Sequence, residues 1–173
     1  MIRRIGTGLI GFLLFFCLWG CGYRLEGRKT SLPREIQTIT IPTMTNETLE
    51  AGIENAFTGA VIREFNLDGR LRVVREGQAD SILEGSIQDF LISSVSYDAA
   101  GLASEYRIRV TMGLTLRRID TGEILWEAPS LRETETYRVV SNVQINEARK
   151  QEAIEEIARE LAETIHDLIV ERF

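Results

Sequence analysis

Between residues 105 and 117 apolar and polar side chains alternate without interruption. Tyr106, Ile108, Val110, Met112, Leu114 and Leu116 share one parity; Glu105, Arg107, Arg109, Thr111, Gly113, Thr115 and Arg117 take the other. A period of two with a single apolar face predicts a strand buried on one side and polar on the other. Residues 35–43, β-branched and bounded by prolines, read as a first strand, residues 71–75 as a short one and residues 81–97 as a long one. In the long one Leu83, Gly85, Ile87, Leu91 and Val95 fall on one parity, which Asp89 interrupts. Two other stretches carry a helical period. Leu49, Ile53, Ala56, Phe57, Ala60, Val61 and Phe65 recur at three and four residues, with Asn46 or Thr48 placed to cap and residues 66–69 to stop the helix. Ile154, Ile157, Ala158, Leu161, Ile165 and Leu168 stripe a C-terminal helix, with Asn146 as its expected cap and Glu155 and Arg159 as an i,i+4 pair.

Asp120-Thr121-Gly122 supplies a tight turn into Ile124-Leu125-Trp126, and Pro129 precedes a further extended run over residues 131–140. Trp126 and Tyr137 have opposite parity, so both point inward only if a bulge near Pro129 re-phases the strand. The order β, α, several β, α predicts an α+β two-layer sandwich. Two helices pack on one face of a roughly four-stranded, largely antiparallel sheet, in one domain over residues 34–173.

The N-terminus has a different pattern. Arg3 and Arg4 precede the uncharged apolar run of residues 9–19, the layout of an export signal, and this run is shorter than the roughly 20 apolar residues of a spanning helix. Leu18-Trp19-Gly20-Cys21 has the form of a lipobox: an aliphatic residue three before the thiol, a small one directly before it, and Cys21 as the nucleophile that takes the lipid. The alternative thiol, Cys17, follows the bulky Phe16. The expected processing removes residues 1–20 and leaves Cys21 as the lipidated residue and residues 21–33 as a tether; the alternative is an uncleaved anchor helix. Either way the domain lies outside the cytoplasm. Gly22, where an Asp would favour retention in the inner membrane, points to the outer membrane.

Composition narrows the chemistry. The chain has 173 residues, 20 Lys plus Arg against 26 Asp plus Glu, and a net charge of −6, which argues against a general nucleic-acid binder. Loss of the signal takes Arg3 and Arg4 with it and makes the charge two units more negative. One His and two Cys are too few for a four-ligand zinc site of the Cys/His type, and neither a metal nor another cofactor is expected beyond the lipid on Cys21. His166, the single imidazole, is expected at a helix surface; the glycines form no phosphate loop, and no catalytic residue is assigned. The chain is not read as an enzyme.

The polar sheet face offers a binding candidate. If the Pro129 bulge exists, Arg107 and Arg109 on one strand and Arg132 and Arg138 on its neighbour gather near one sheet end, with Glu105 as the only facing acid, and can hold an anion through bidentate hydrogen bonds. Without the bulge, Glu133 and Glu135 lie opposite Arg109 and Arg107 and neutralise them. Exposed opposite charges commonly pair, which favours the second arrangement.

Cys21-Gly22-Tyr23-Arg24-Leu25, Leu32-Pro33, the run of residues 39–48 (ITIPTMTNET) and Gly52-Ile53-Glu54 together resemble the LPS-assembly lipoprotein family LptE. The resemblance implies two helices on a four-stranded sheet, sitting as a plug inside the outer-membrane β-barrel LptD, assisting its assembly and binding lipopolysaccharide. Cys21 alone carries over residue by residue. Residues 96–104 are acidic where family members can present a basic residue, so lipid contact through this loop is not implied. For lipopolysaccharide the candidates are Arg107, Arg109 and Arg138, taken from the sheet pattern. A different class of envelope lipoprotein is the alternative, since residues 121–126 (TGEILW) are similar to segments of peptidoglycan-synthase activators.

Overall fold

The computed structural model describes Pro33 and residues 35–170; the signal, Cys21 and the tether up to Leu32 lie outside the described residues. Eight elements follow in chain order: β1 (Thr38–Thr40), β2 (Thr45–Asn46), α1 (Ile53–Asp68), β3 (Arg72–Val73), β4 (Ser81–Tyr97), β5 (Ala103–Arg118), β6 (Ile124–Arg138) and α2 (Val143–Val170). The two-layer α+β arrangement is present, but the sheet has six strands rather than four and is mixed rather than largely antiparallel. Its order is β3-β1-β4-β5-β6, and β2 also lies against β4. β1 runs parallel to β3 and to β4, and β2 parallel to β4, whereas β4, β5 and β6 form an antiparallel meander. The crossover through α1 is what permits β1 to pair parallel to β3, since parallel neighbours need a long connection and cannot be joined by a tight turn. The predicted first strand of residues 35–43 is β1, shorter and ending before Pro42, and the chain pairs again at Thr45, so β2 is an unpredicted strand in tandem with β1 along one edge of β4.

Inward residues of the sheet meet both helices in one core that includes Ile39, Phe57, Phe65, Leu83, Ile87, Ile108, Met112, Leu116, Ile157 and Leu161. Helix α1 starts at Ile53 after Gly52 in a left-handed conformation, with no side-chain cap. Asn46 organises the preceding loop instead, accepting from the Thr48 amide and donating to the Glu50 carbonyl. Leu49, expected on the apolar stripe, therefore stands outside the helix and is fully exposed. At the other end Gly69, also left-handed, donates its amide to the Phe65 carbonyl and stops the helix where the sequence predicts. Helix α2 begins one turn earlier than expected. Asn142 accepts from the Ile145 amide at 3.0 Å, while Asn146 clasps both backbone groups of Val140 at 2.8 Å. Arg159 pairs with Glu156 and Glu163, not with Glu155. Among the described residues no helix is long and apolar enough to cross a membrane.

Two bulges divide the long strands. In β4 the register jumps between Ile87 and Asp89, leaving Gln88 without a partner. In β6 it jumps between Ala128 and Leu131, where Pro129 and Ser130 together stand opposite the single residue Gly113, one residue in excess. Both bulges flank Gly113 on β5. A Cβ at Gly113 would meet the side-chain amide of Gln88 and come within 3.3 Å of the Pro129 carbonyl, so the bare glycine gives the Gln88 side chain and the β6 bulge room against β5. We call residues 81–87, 113–118 and 124–128 the proximal half of the sheet and residues 89–97, 103–112 and 131–138 the distal half. At about 3.3 Å per residue β5 alone spans roughly 50 Å.

The Gln88 bulge also accounts for Asp89. Past it the inward parity of β4 changes, so Phe90 and Ile92 pack on the core while Asp89 and Leu91 face outward; Leu91 and Val95 do not continue the inward set of Leu83 and Ile87.

Candidate arginine face

The β6 bulge decides the alternative posed by the charge pattern. Because Leu131 pairs with Met112 and Ala128 with Leu114, the strand is re-phased, and Trp126 and Tyr137 both lie on the core side, opposite Leu116 and Tyr106. The Tyr106 and Tyr137 rings stack with centroids 5.9 Å apart. Glu133 and Glu135 consequently lie opposite Val110 and Ile108, on the helix-bearing face. The expectation that they pair with Arg109 and Arg107 fails, because backbone phase puts the acids and the arginines on opposite sides of the sheet.

On the outward face of the distal half Arg107 stands opposite Thr136, Arg109 opposite Thr134, Arg132 opposite Thr111 and Arg138 opposite Glu105. Arg107 with Arg138, and Arg109 with Arg132, are diagonal cross-strand neighbours, a relation that places their backbones about 7–8 Å apart. Long side chains on such positions can converge on one anionic group. The opposing charge is small. Arg109 approaches Asp89 only to 4.0 Å, with both side chains about half exposed, so this pair holds weakly. The Arg132 Nε lies 3.5 Å from the Thr111 hydroxyl. Glu105 accepts a hydrogen bond from the Ser96 hydroxyl at 3.2 Å. Among the described residues no carboxylate comes within ion-pair distance of Arg107, Arg132 or Arg138. In the proximal half, by contrast, Arg117 holds Glu84 at 2.9 Å and Arg118 holds Glu35 at 2.9 Å.

The acids placed on the helix side bear on Glu160 of α2. Burial, then the charges of Glu133, Glu156 and Glu135, raise the Glu160 carboxyl above its ordinary range. His166 is not at a helix surface: it is buried, edge-on to Phe65, with Nε2 3.1 Å from Asp68 and Nδ1 3.3 Å from Asp167. The α2 face is wide enough to meet both the sheet and α1, which draws this residue inside. A hydrogen bond from Arg70, aided by His166, holds the Asp68 carboxyl below its usual range. The distal hairpin turn uses its acid internally, since Asp98 accepts from the Ala100 and Leu102 amides at 2.8 and 2.9 Å. Among the described residues no group of three His, Cys, Asp or Glu side chains is placed to hold a metal ion.

One structural anchor was invisible in the pattern. Asp80 accepts from the Gln37 and Thr38 amides, both at 3.0 Å, and from the Thr38 hydroxyl at 2.7 Å, while its own amide donates back to that hydroxyl. The Thr38 hydroxyl chiefly, then the Gln37 amide, keeps its carboxyl below the ordinary range. It ties β1 to the start of β4. The Gln88 bulge did carry a signal, because the apolar pattern moves from Leu83 and Ile87 to Phe90 and Ile92.

Residues 36–169 match the family described as LptE, lipopolysaccharide-assembly. No curated protein sequence matches the chain. Among solved structures, a lipoprotein of Caulobacter crescentus is 18% identical with a TM-score of 0.54, over 83% of this chain and 89% of that one. A minor lipoprotein of Acinetobacter baumannii is 12% identical at 0.54, over 79% and 92%. Lipoprotein B of Nitrosomonas europaea is 15% identical at 0.52, over 84% and 88%. At such identities the likeness is one of fold.

Proposed function

The chain belongs to the LptE lipopolysaccharide-assembly family, and from that premise we propose that it is an outer-membrane lipoprotein, anchored through Cys21, that plugs an LptD-like β-barrel from the periplasmic side. In this reading it assists assembly of the barrel and helps deliver lipopolysaccharide to the cell surface. The family match over residues 36–169 carries the proposal. Physical chemistry supports it in two ways. A sheet with one side sealed by helices and the other lined with Arg, Thr and Ser suits the polar lumen of an outer-membrane barrel. Lipopolysaccharide bears phosphate groups, and Arg107, Arg109 and Arg138, with Arg132 beside them, form the face suited to bind them.

The test is a mild-detergent purification of the tagged lipoprotein from its own outer membrane, with Cys21→Ala alongside and partners identified by mass. Recovery of a stoichiometric barrel with both chains is the expected result, because the domain and not the lipid makes the contact. Recovery of a cell-wall synthase and no barrel would overturn the reading and favour an activator of peptidoglycan synthesis.

A further inference from the structure

The sheet has two long edges, and they are finished differently. On β6 the edge is blunted: Pro129 and the bulge interrupt it, Glu133 caps the outward amide of Thr134 at 2.9 Å, and Arg149 covers the outward carbonyl of Arg138 at 2.8 Å. On β4 the proximal half is covered by β1 and β2, whose last contact is the Glu47 amide on the Ile87 carbonyl at 3.0 Å. Beyond that point, among the described residues, the distal stretch has β5 on one side and no strand on the other. Since the Ile87 carbonyl points away from β5, alternation carried past the Gln88 bulge turns the backbone groups of Phe90, Ile92 and Ser94 outward. Residues 90–97 (FLISSVSY) contain neither a charge nor a proline. Their pairing with β5 is regular from Phe90 to Ser94, and the register shifts fall beyond it, between Ser94 and Ser96 and between Ser96 and Tyr97.

We propose that the outward edge of β4 over residues 90–94 accepts an added strand from a loop of the barrel partner that folds into the lumen; the identity of that partner rests on the plug reading above. Unpaired amides and carbonyls in register require an extended polypeptide, and no small ligand satisfies them along a strand. A closed barrel wall has no edge of its own to give, so the strand must come from a loop. A second copy of this chain is disfavoured, because pairing this edge with itself brings together two net-negative chains, each with Asp89 and Asp98 at the ends of the edge. The incoming segment should carry apolar residues on alternate positions. On the helix side it would fill an open groove of about 400 Å³ between residues 47–50 and Gln88, Asp89, Phe90 and Ile92, covering the exposed Leu49.

Residue-resolved amide hydrogen exchange on the lipidated chain, alone and in its barrel complex, tests this. The amides of Phe90, Ile92 and Ser94 should exchange freely in the isolated chain and slow by about a hundredfold or more in the complex, whereas those of Leu91 and Ser93, already bonded to β5, change little. A complex in which the three amides stay fast removes the edge proposal and leaves the plug reading standing. Failure to obtain any barrel complex removes both, and protection that grows with concentration of the isolated chain assigns the edge to a second copy. Ser94→Pro deletes an outward donor and should cut the yield of complex about tenfold, while Thr136→Pro, the same change on the β6 edge, should leave it within about twofold. Equal yields for the two variants contradict the proposal, and the exchange measurement on the unsubstituted chain stands even if a proline variant fails to fold.

Discussion

In the proximal half of the sheet all six strands are present and β1, β2 and β5 pair with β4, Leu83 and Leu116 are fully buried beneath the helices, and the outward cation Arg117 is held by Glu84. In the distal half only three strands continue, Phe90 and Ile92 are half-buried, and the outward face carries four arginines against one weak acidic contact. Exposed apolar residues lie at both ends of the sheet, Leu91, Tyr97 and Leu102 at the distal end and Ile119 and Ile124 at the proximal turn. The two halves are made by the same strands, so the difference comes from where the bulges fall and from which neighbours stop short of Gly113. The proximal half spends its side chains on its own stability. The distal half leaves hydrogen-bonding groups, cations and apolar surface unpartnered within the chain, which is the expected condition of a surface that meets something else.

The strongest way to break this division is to remove Gln88. Without the bulge Asp89 and Leu91 would be driven to the core side and Phe90 and Ile92 turned out, so the deletion should cost about 4 kcal/mol or more in urea unfolding. A loss under about 1 kcal/mol would mean that β4 re-phases elsewhere at little cost. Truncations sharpen the same contrast. Leu83→Ala in the proximal core should cost about 3 kcal/mol, and Ile92→Ala, half-buried in the distal half, about 1. Equal losses would contradict the ranking of the two halves.

Asp80→Asn should cost about 2 kcal/mol at neutral pH by weakening the acceptor of three donors. Because folding lowers the Asp80 pKa, its contribution is present above the unfolded value near 3.9 and is lost as the pH falls through that value toward the lower folded one. Acid titration of stability should therefore be shallower in the variant over that window. The smallest effect is expected at Glu160, whose pKa folding raises; its ionisation weakens the fold as pH rises through the raised value. Glu160→Gln should lift the melting temperature slightly at pH 7 and leave it unchanged below about pH 4. A lower melting temperature at pH 7 would show that the carboxylate is satisfied by its surroundings.

Where one period runs unbroken, local pattern was enough to find the fold: β5 emerged with its inward set intact, and α1 ended at Gly69 as expected. Parity failed where one extra residue changes the phase. At β6 the opposite parity of Trp126 and Tyr137 exposed the bulge, but general pairing preference pointed the wrong way for Glu133 and Glu135. At β4 Leu91 and Val95 continued the old phase and masked Phe90 and Ile92. β2, two residues long, is too short for any period; β3 lies inside the predicted strand of residues 71–75, but its parallel pairing with β1 depends on the α1 crossover, which its own side chains do not reveal. Asp80 was hidden because its three donors belong to a segment more than forty residues away.

Binding of purified lipopolysaccharide to the unlipidated domain tests most directly whether the arginines of the distal face take its anionic groups. The variant Arg107→Ser/Arg109→Ser/Arg138→Ser should lose about tenfold or more in affinity and keep its melting temperature, whereas Arg117→Ser, which breaks only a proximal surface pair, should bind as the unsubstituted chain does. Unchanged binding by the triple variant, or an equal loss with Arg117→Ser, would contradict the account.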